Sequence, residues 1–225
     1  MGPVSRTGLS SPRLDLAGAE LRLLVLAERK DEYLAVDVDS GAFVRAHGTT
    51  DPDGGPSHIL DVIKVELATN EHASDLSQPE AVTMAGPPRQ ARRVRRGRVK
   101  RYLRALVAPE GQPLLGFPAS ATPYWTLDGT RPSLALITPS DGLTVSRRQT
   151  DGTLWARFHW SGGQYNLQVD DARLSTAMAD GKRTRIGGRA LARALGHRPH
   201  YLLVALAPPR NGHCYKTVAA VLPRQ

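Results

Sequence analysis

The stretch TLWARFHWSGGQYNLQVDD, residues 153–171, decides the fold class. A period of two places Leu154, Ala156, Phe158 and Trp160 on one face and Trp155, Arg157 and His159 on the other, and SGG supplies a tight turn, so the segment reads as a β-hairpin. Working outward, YLLVALA (201–207) and CYKTVAAVL (214–222), joined by PPRNGH, read as a second hairpin with Asn211, Gly212, Tyr215 and Lys216 at its tip, where either a functional contact or a plain turn fits. SLALITP (133–139) and LTVSRRQ (143–149) read as further strands. In the N-terminal half, LRLLVLA (21–27), EYLAVDV (32–38) and AFVRAH (42–47) form a meander, and the alternation in ILDVIKVEL (59–67) predicts a largely buried strand. Aromatics at 5%, with Gly 21 and Pro 17, favour many short strands over long helices. The expected fold is mostly β.

The formal charge of +9 arises from 30 basic and 21 acidic residues, and its location carries the information. The run RQARRVRRGRVKRYLR, residues 89–104, holds Arg89, Arg92, Arg93, Arg95, Arg96, Arg98, Lys100, Arg101 and Arg104 without an acid. Those nine bases equal the whole net charge, because the remaining 21 balance the 21 acids. The chain is a neutral body with one basic segment. Such a cluster is favoured by phosphates that neutralise it, and arginine's planar fork suits bidentate phosphate contacts and stacking on bases. A solvated linker or an anionic-membrane patch would carry the same composition. Val99, Tyr102, Leu103 and Leu106 recur at helical spacing, so the run should end as an amphipathic helix, stopped by Pro109 and Gly111. A second acid-free stretch carries Lys182, Arg183, Arg185, Arg189, Arg193 and Arg198. It reads either as part of the same surface or as a loop and short helix, with Arg189 and Arg193 on the wet side of Leu191 and Leu195.

In AFVRAH the strand period separates Val44 and Ala46 from Phe43, Arg45 and His47, so an aromatic–Arg–His face occurs once in each half. Such a face can stack bases and pair phosphates, or it can be ordinary core.

Four segments resemble the dual OB-fold (DuOB) domain, a prokaryotic family with two tandem oligonucleotide-binding-type barrels. SGAFVRAH is similar to its Gly–aromatic–hydrophobic–Arg strand, and ILDVIKVELATNEHASDLSQPEAV to its leucine–aspartate strand with the Gln–Pro–Glu segment. SLALITPSDGLTV with ARFHWSGGQYNLQVDDARL is similar to its second-barrel hairpin, and LVALAPPRNGHCYKTVAAVLP to its C-terminal segment. Together they cover most of residues 20–223 in the family's order. The departures are a shorter first hairpin without cysteine or glycines, Ala81 in place of Asn, and LAPP in place of an acidic turn. The arginine run is this chain's own elaboration.

The resemblance implies two tandem small OB-like β-barrels and a nucleic-acid-binding role. The expected organisation is a disordered tail over 1–19, a first OB-like β unit over 20–88, an arginine-rich connector helix over 89–108 and a second OB-like β unit with C-terminal hairpin over 109–225. The expected contacts to DNA or RNA are Arg92, Arg93, Arg95, Arg96, Arg98, Lys100, Arg101 and Arg104, together with Phe43, Arg45, Trp155, Arg157, His159, Tyr215 and Lys216.

No Walker loop, GxGxxG, nucleophile elbow or HExxH occurs, and the seven histidines stand at no metal-ligand spacing with a carboxylate on a credible helix. The expectation is a binder, not an enzyme, with no catalytic residue, metal or cofactor. Two other readings stay open: an adaptor in a DNA-processing or anti-phage assembly, whose basic segment docks on a protein partner, and a metal-dependent nuclease. The single Cys214 and the absence of a long apolar run or signal-peptide core predict a cytoplasmic protein without membrane attachment.

Overall fold

The structure, a computed structural model, describes residues 18–29, 31–48, 59–68, 75–179 and 184–224. Residues 1–17 of the expected tail, Lys182 and Arg183, and the side chain of Arg96 lie outside what it describes. Gly18 and Ala19 are not tail: each exchanges a backbone hydrogen bond with Leu67, at 3.2 and 3.0 Å.

The first sheet contains β1 (Glu20–Arg29), β2 (Glu32–Asp37), β3 (Phe43–His47), β4 (Asp61–Glu66), β5 (Ala81–Thr83) and β6 (Arg89–Arg93), in the order β5-β3-β2-β1-β4-β6. The basic run therefore opens as an edge strand, antiparallel to β4 with Val62 opposite Arg92, and not as a helix from residue 89. The helix α1 spans Arg96–Leu106. It buries Val99 and Leu103, as the spacing predicts, and half-buries Tyr102 and Leu106.

The chain then forms β7 (Ala121–Pro123), β8 (Leu134–Ile137), β9 (Asp141–Arg147), β10 (Leu154–Trp160), β11 (Gly163–Val169), α2 (Ala172–Ala177), β12 (Arg185–Gly187), α3 (Gly188–Leu195), β13 (Pro199–Leu206) and β14 (His213–Pro223). The second sheet runs β12-β9-β10-β11-β14-β13-β8, with β7 also on β14. Both hairpin turns are the kind whose twist suits flanking strands: Ser161 and Gly162, like Asn211 and Gly212, have positive φ at both central positions.

One pairing logic recurs. In each sheet three meander strands are followed by a fourth that pairs with the first, β4 with β1 and β13 with β8, and a fifth lies parallel to the third, β5 with β3 and β14 with β11. This is the strand order of an OB-type Greek key, with β8 and β9 acting as one strand interrupted at Pro139, which has no N–H to give to a ladder. The closed barrels expected from the sequence are not reached. In the first sheet the three-residue β5 leaves a single bridge, Leu67 to Met84, between the fourth and fifth strands. In the second the interrupted first strand leaves β8 and β12 at the ends of the ladder.

The two sheets share a core. Leu24, Leu26, Leu34 and Val36 of the first pack with Leu134, Leu136, Leu203 and Leu222 of the second, and α1 seals the seam with Val99 and Leu103. At roughly 1.5–3 kcal/mol for each fully buried aliphatic side chain, this seam holds the units together without any covalent cross-link.

Candidate nucleic-acid interface

Arg92 and Arg93 on β6, Arg95 before α1, and Arg98, Arg101 and Arg104 along α1 are exposed, and Lys100 is half-buried. Among the described residues none of these arginines sits within ion-pair distance of a carboxylate, whereas Arg89 pairs with Glu66 at 3.1 Å. Arg101 lies 5.9 Å from the centre of the Tyr102 ring. The apolar stripe of α1 is held in the inter-sheet core, so its cationic side is left facing water. The first turn of α1 has no acidic residue, and its N-terminal end adds further positive potential.

A second surface forms on β9, β10 and β11. Leu154, Ala156, Phe158 and Trp160 are buried, so the opposite set points outward: Trp155 half-exposed, Arg157 and His159 exposed. Paired residues in a ladder share a face, and the register makes rows across the sheet. Arg185, Ser146, Trp155 and Gln168 form one row; Thr144, Arg157 and Asn166 form the next; Asp141, His159 and Gln164 form a third. Arg148 lies 4.3 Å from the centre of the Trp155 ring, and the indole Nε1–H donates to Thr153 Oγ1 at 2.9 Å. The ring is thereby fixed with a guanidinium on it, an arrangement of the type that holds stacked bases.

Thr217 is paired with Gln168, and alternation along β14 brings Tyr215 to the same side, 45% exposed. Beyond it, Trp125 is 72% exposed and meets the His213 ring edge-on at 5.4 Å. The sequence reading missed Trp125, which sits in a segment without periodicity. Its placement depends on β7 pairing with β14 and on the Tyr124 N–H donating to Gly212 O at 2.9 Å.

Three expected contact residues are elsewhere. Arg45 is fully buried between the units. Its Nη1 donates to Glu32 Oε1 at 2.9 Å, its Nε to Ser133 Oγ at 2.8 Å and Glu80 Oε1 at 3.2 Å, and its Nη2 to Leu206 O at 2.8 Å. Phe43 packs, half-buried, against the shared core. Both faces of β3 are covered, because the second unit lies on the side that would otherwise face solvent. Lys216 is 2% exposed and donates to Phe117 O and to Ala119 O, the latter at 2.6 Å. Burial lowers its pKa from 10.5 to about 8. The helical reading of the second basic stretch holds for Leu191 and Leu195, which are buried, with Arg189 and Arg193 exposed.

Among the described residues no group of three or more His, Cys, Asp or Glu side chains is arranged to hold a metal ion, and no helix is long and apolar enough to cross a membrane.

The topology and this open sheet face define a mostly-β protein with two OB-type units. The chain belongs to the dual OB-containing domain family, whose model matches residues 35–221. No curated protein and no solved structure matches it.

Proposed function

We propose that this protein binds nucleic acid through its phosphate backbone, without strong sequence specificity, and acts as a binder and not as an enzyme. The observation that carries this reading is the set of exposed arginines on β6 and α1 that have no carboxylate partner among the described residues. Unpaired guanidinium groups at this density repel one another, and phosphates relieve that repulsion while releasing counter-ions. OB-type units characteristically receive oligonucleotides on the face of their second and third strands. In the second unit those strands are β10 and β11, where Trp155 and Arg157 face outward. The arginine surface supplies grip and the sheet face supplies stacking.

The test is fluorescence anisotropy with labelled single-stranded DNA, duplex DNA and RNA across a salt series. The logarithm of the association constant should fall linearly with that of salt concentration. Replacing Arg92, Arg93, Arg95 and Arg98 by alanine should flatten the slope by about 0.7–0.9 for each phosphate that is no longer neutralised. An unchanged slope would remove these arginines from the mechanism. No binding at low salt would instead make β6, an edge strand of the first sheet, a docking element for a protein partner.

A further inference from the structure

A cleft of about 740 Å³ opens between the start of β9, α3 and the start of β13. Its floor is apolar, with Leu143, Leu191 and Leu202, and its walls carry Arg189, Arg198 and His200. Arg189 and Arg198 are exposed, and neither has a carboxylate within ion-pair distance among the described residues. Burial, followed by the nearby charges of Arg224 and Arg198, holds the His200 pKa below its usual value. The imidazole is thus neutral near pH 7, and the arginines supply the positive charge. Asp141 is the one carboxylate among the described lining residues.

A concave apolar floor with a few converging polar groups is the usual form of a small-ligand site. Two forked cations select a phosphoryl group, the floor accepts a planar ring, and a carboxylate at the mouth can accept from a sugar hydroxyl. The cleft also adjoins the outward face of β10, since Asp141 pairs with His159 and the Ser140 N–H donates to His159 O at 2.9 Å.

We propose that this cleft binds a nucleoside phosphomonoester, either as a free nucleotide or as the phosphorylated end of a strand lying on the β10–β11 face. Only the second source rests on the nucleic-acid reading above, and the first stands without it.

The experiment titrates the full chain with adenosine monophosphate, adenosine and inorganic phosphate by calorimetry. In parallel, it measures anisotropy of oligonucleotides bearing a 5′-phosphate, a 3′-phosphate or neither. Arg189→Ala and Arg198→Ala each remove one charge-assisted contact and should weaken the phosphate-dependent binding about tenfold or more. Gly142→Leu adds bulk at a lining position of the cleft, where a Cβ meets no atom within 4 Å and the backbone φ is not in the positive range, so the substitution should be tolerated by the fold. Binding of the monophosphate that disappears in these three variants assigns the free nucleotide; a terminal-phosphate preference that disappears in the same variants assigns the strand end. If the monophosphate fails to bind and terminal phosphate makes no difference, or if the variants leave both unaltered, the proposal is overturned. Retained binding of the unphosphorylated oligonucleotide in that case would leave the backbone-binding reading intact.

Discussion

Replacing Arg45 by alanine removes a guanidinium that joins the two units, and its cost follows from what is left behind. Arg45 contacts Glu32 and Glu80, whose side chains are only 10% and 1% exposed; Glu32 keeps Arg29 at 3.0 Å, so the variant strands the Glu80 carboxylate without a cation in a site that water barely reaches. Ser133 Oγ and Leu206 O lose a donor as well. Breaking a buried ion pair by deleting one partner costs about 3–5 kcal/mol. At about 2–4 °C per kcal/mol for a chain of this size, the melting temperature should fall by about 6–20 °C. Urea unfolding followed by far-UV circular dichroism measures the loss, and thermal unfolding checks it. Arg45→Met, which keeps the aliphatic stem, should lose nearly as much, because the buried Glu80 carboxylate remains without a cation. Adding Glu80→Gln to Arg45→Ala should recover part of the loss, giving a non-additive double-mutant cycle. A loss below about 1 kcal/mol, the value of an exposed ion pair, would refute the argument and return Arg45 to the surface.

Trp155→Ala should weaken single-stranded oligonucleotide binding by roughly 1–3 kcal/mol in anisotropy, while the unfolding midpoint changes little, because the ring stands on the outward face of β10. Global unfolding of that variant would instead make the ring part of the core. For Lys216, the folded pKa of about 8 lies below the usual 10.5, so the unfolded chain holds a proton that the folded chain releases between those values. The unfolding free energy should therefore rise as pH climbs from about 8 to 10.5. Denaturant midpoints at several pH values should show this rise in the native chain and a flatter profile in Lys216→Met; identical profiles would put the ammonium in water.

Local patterning made several features legible. The alternation in residues 153–160 correctly separated the buried Leu154, Ala156, Phe158 and Trp160 from Trp155, Arg157 and His159, because a solvated sheet face leaves a period of two in the sequence. The helical spacing of Val99 and Leu103 survived for the same reason on α1. Lys216 could have been excluded on the same principle: adjacent strand residues point to opposite faces, so Tyr215 and Lys216 do not both project from one surface. Trp125 left no comparable signal, since its exposure arises from the pairing of β7 with β14.

The sequence by itself determined the mostly-β class, the two turns built on Ser161–Gly162 and Asn211–Gly212, the amphipathic helix and the concentration of charge in residues 89–104. These are local properties, written in propensity, period and charge. AFVRAH and WARFHW carry the same aromatic–Arg–His pattern, yet Arg45 is buried and Arg157 is exposed. Only the tertiary structure decided between them, because a strand's second face is core or surface according to whether another sheet lies on it. That choice is made by residues far away in the chain, here Ser133 and Leu206.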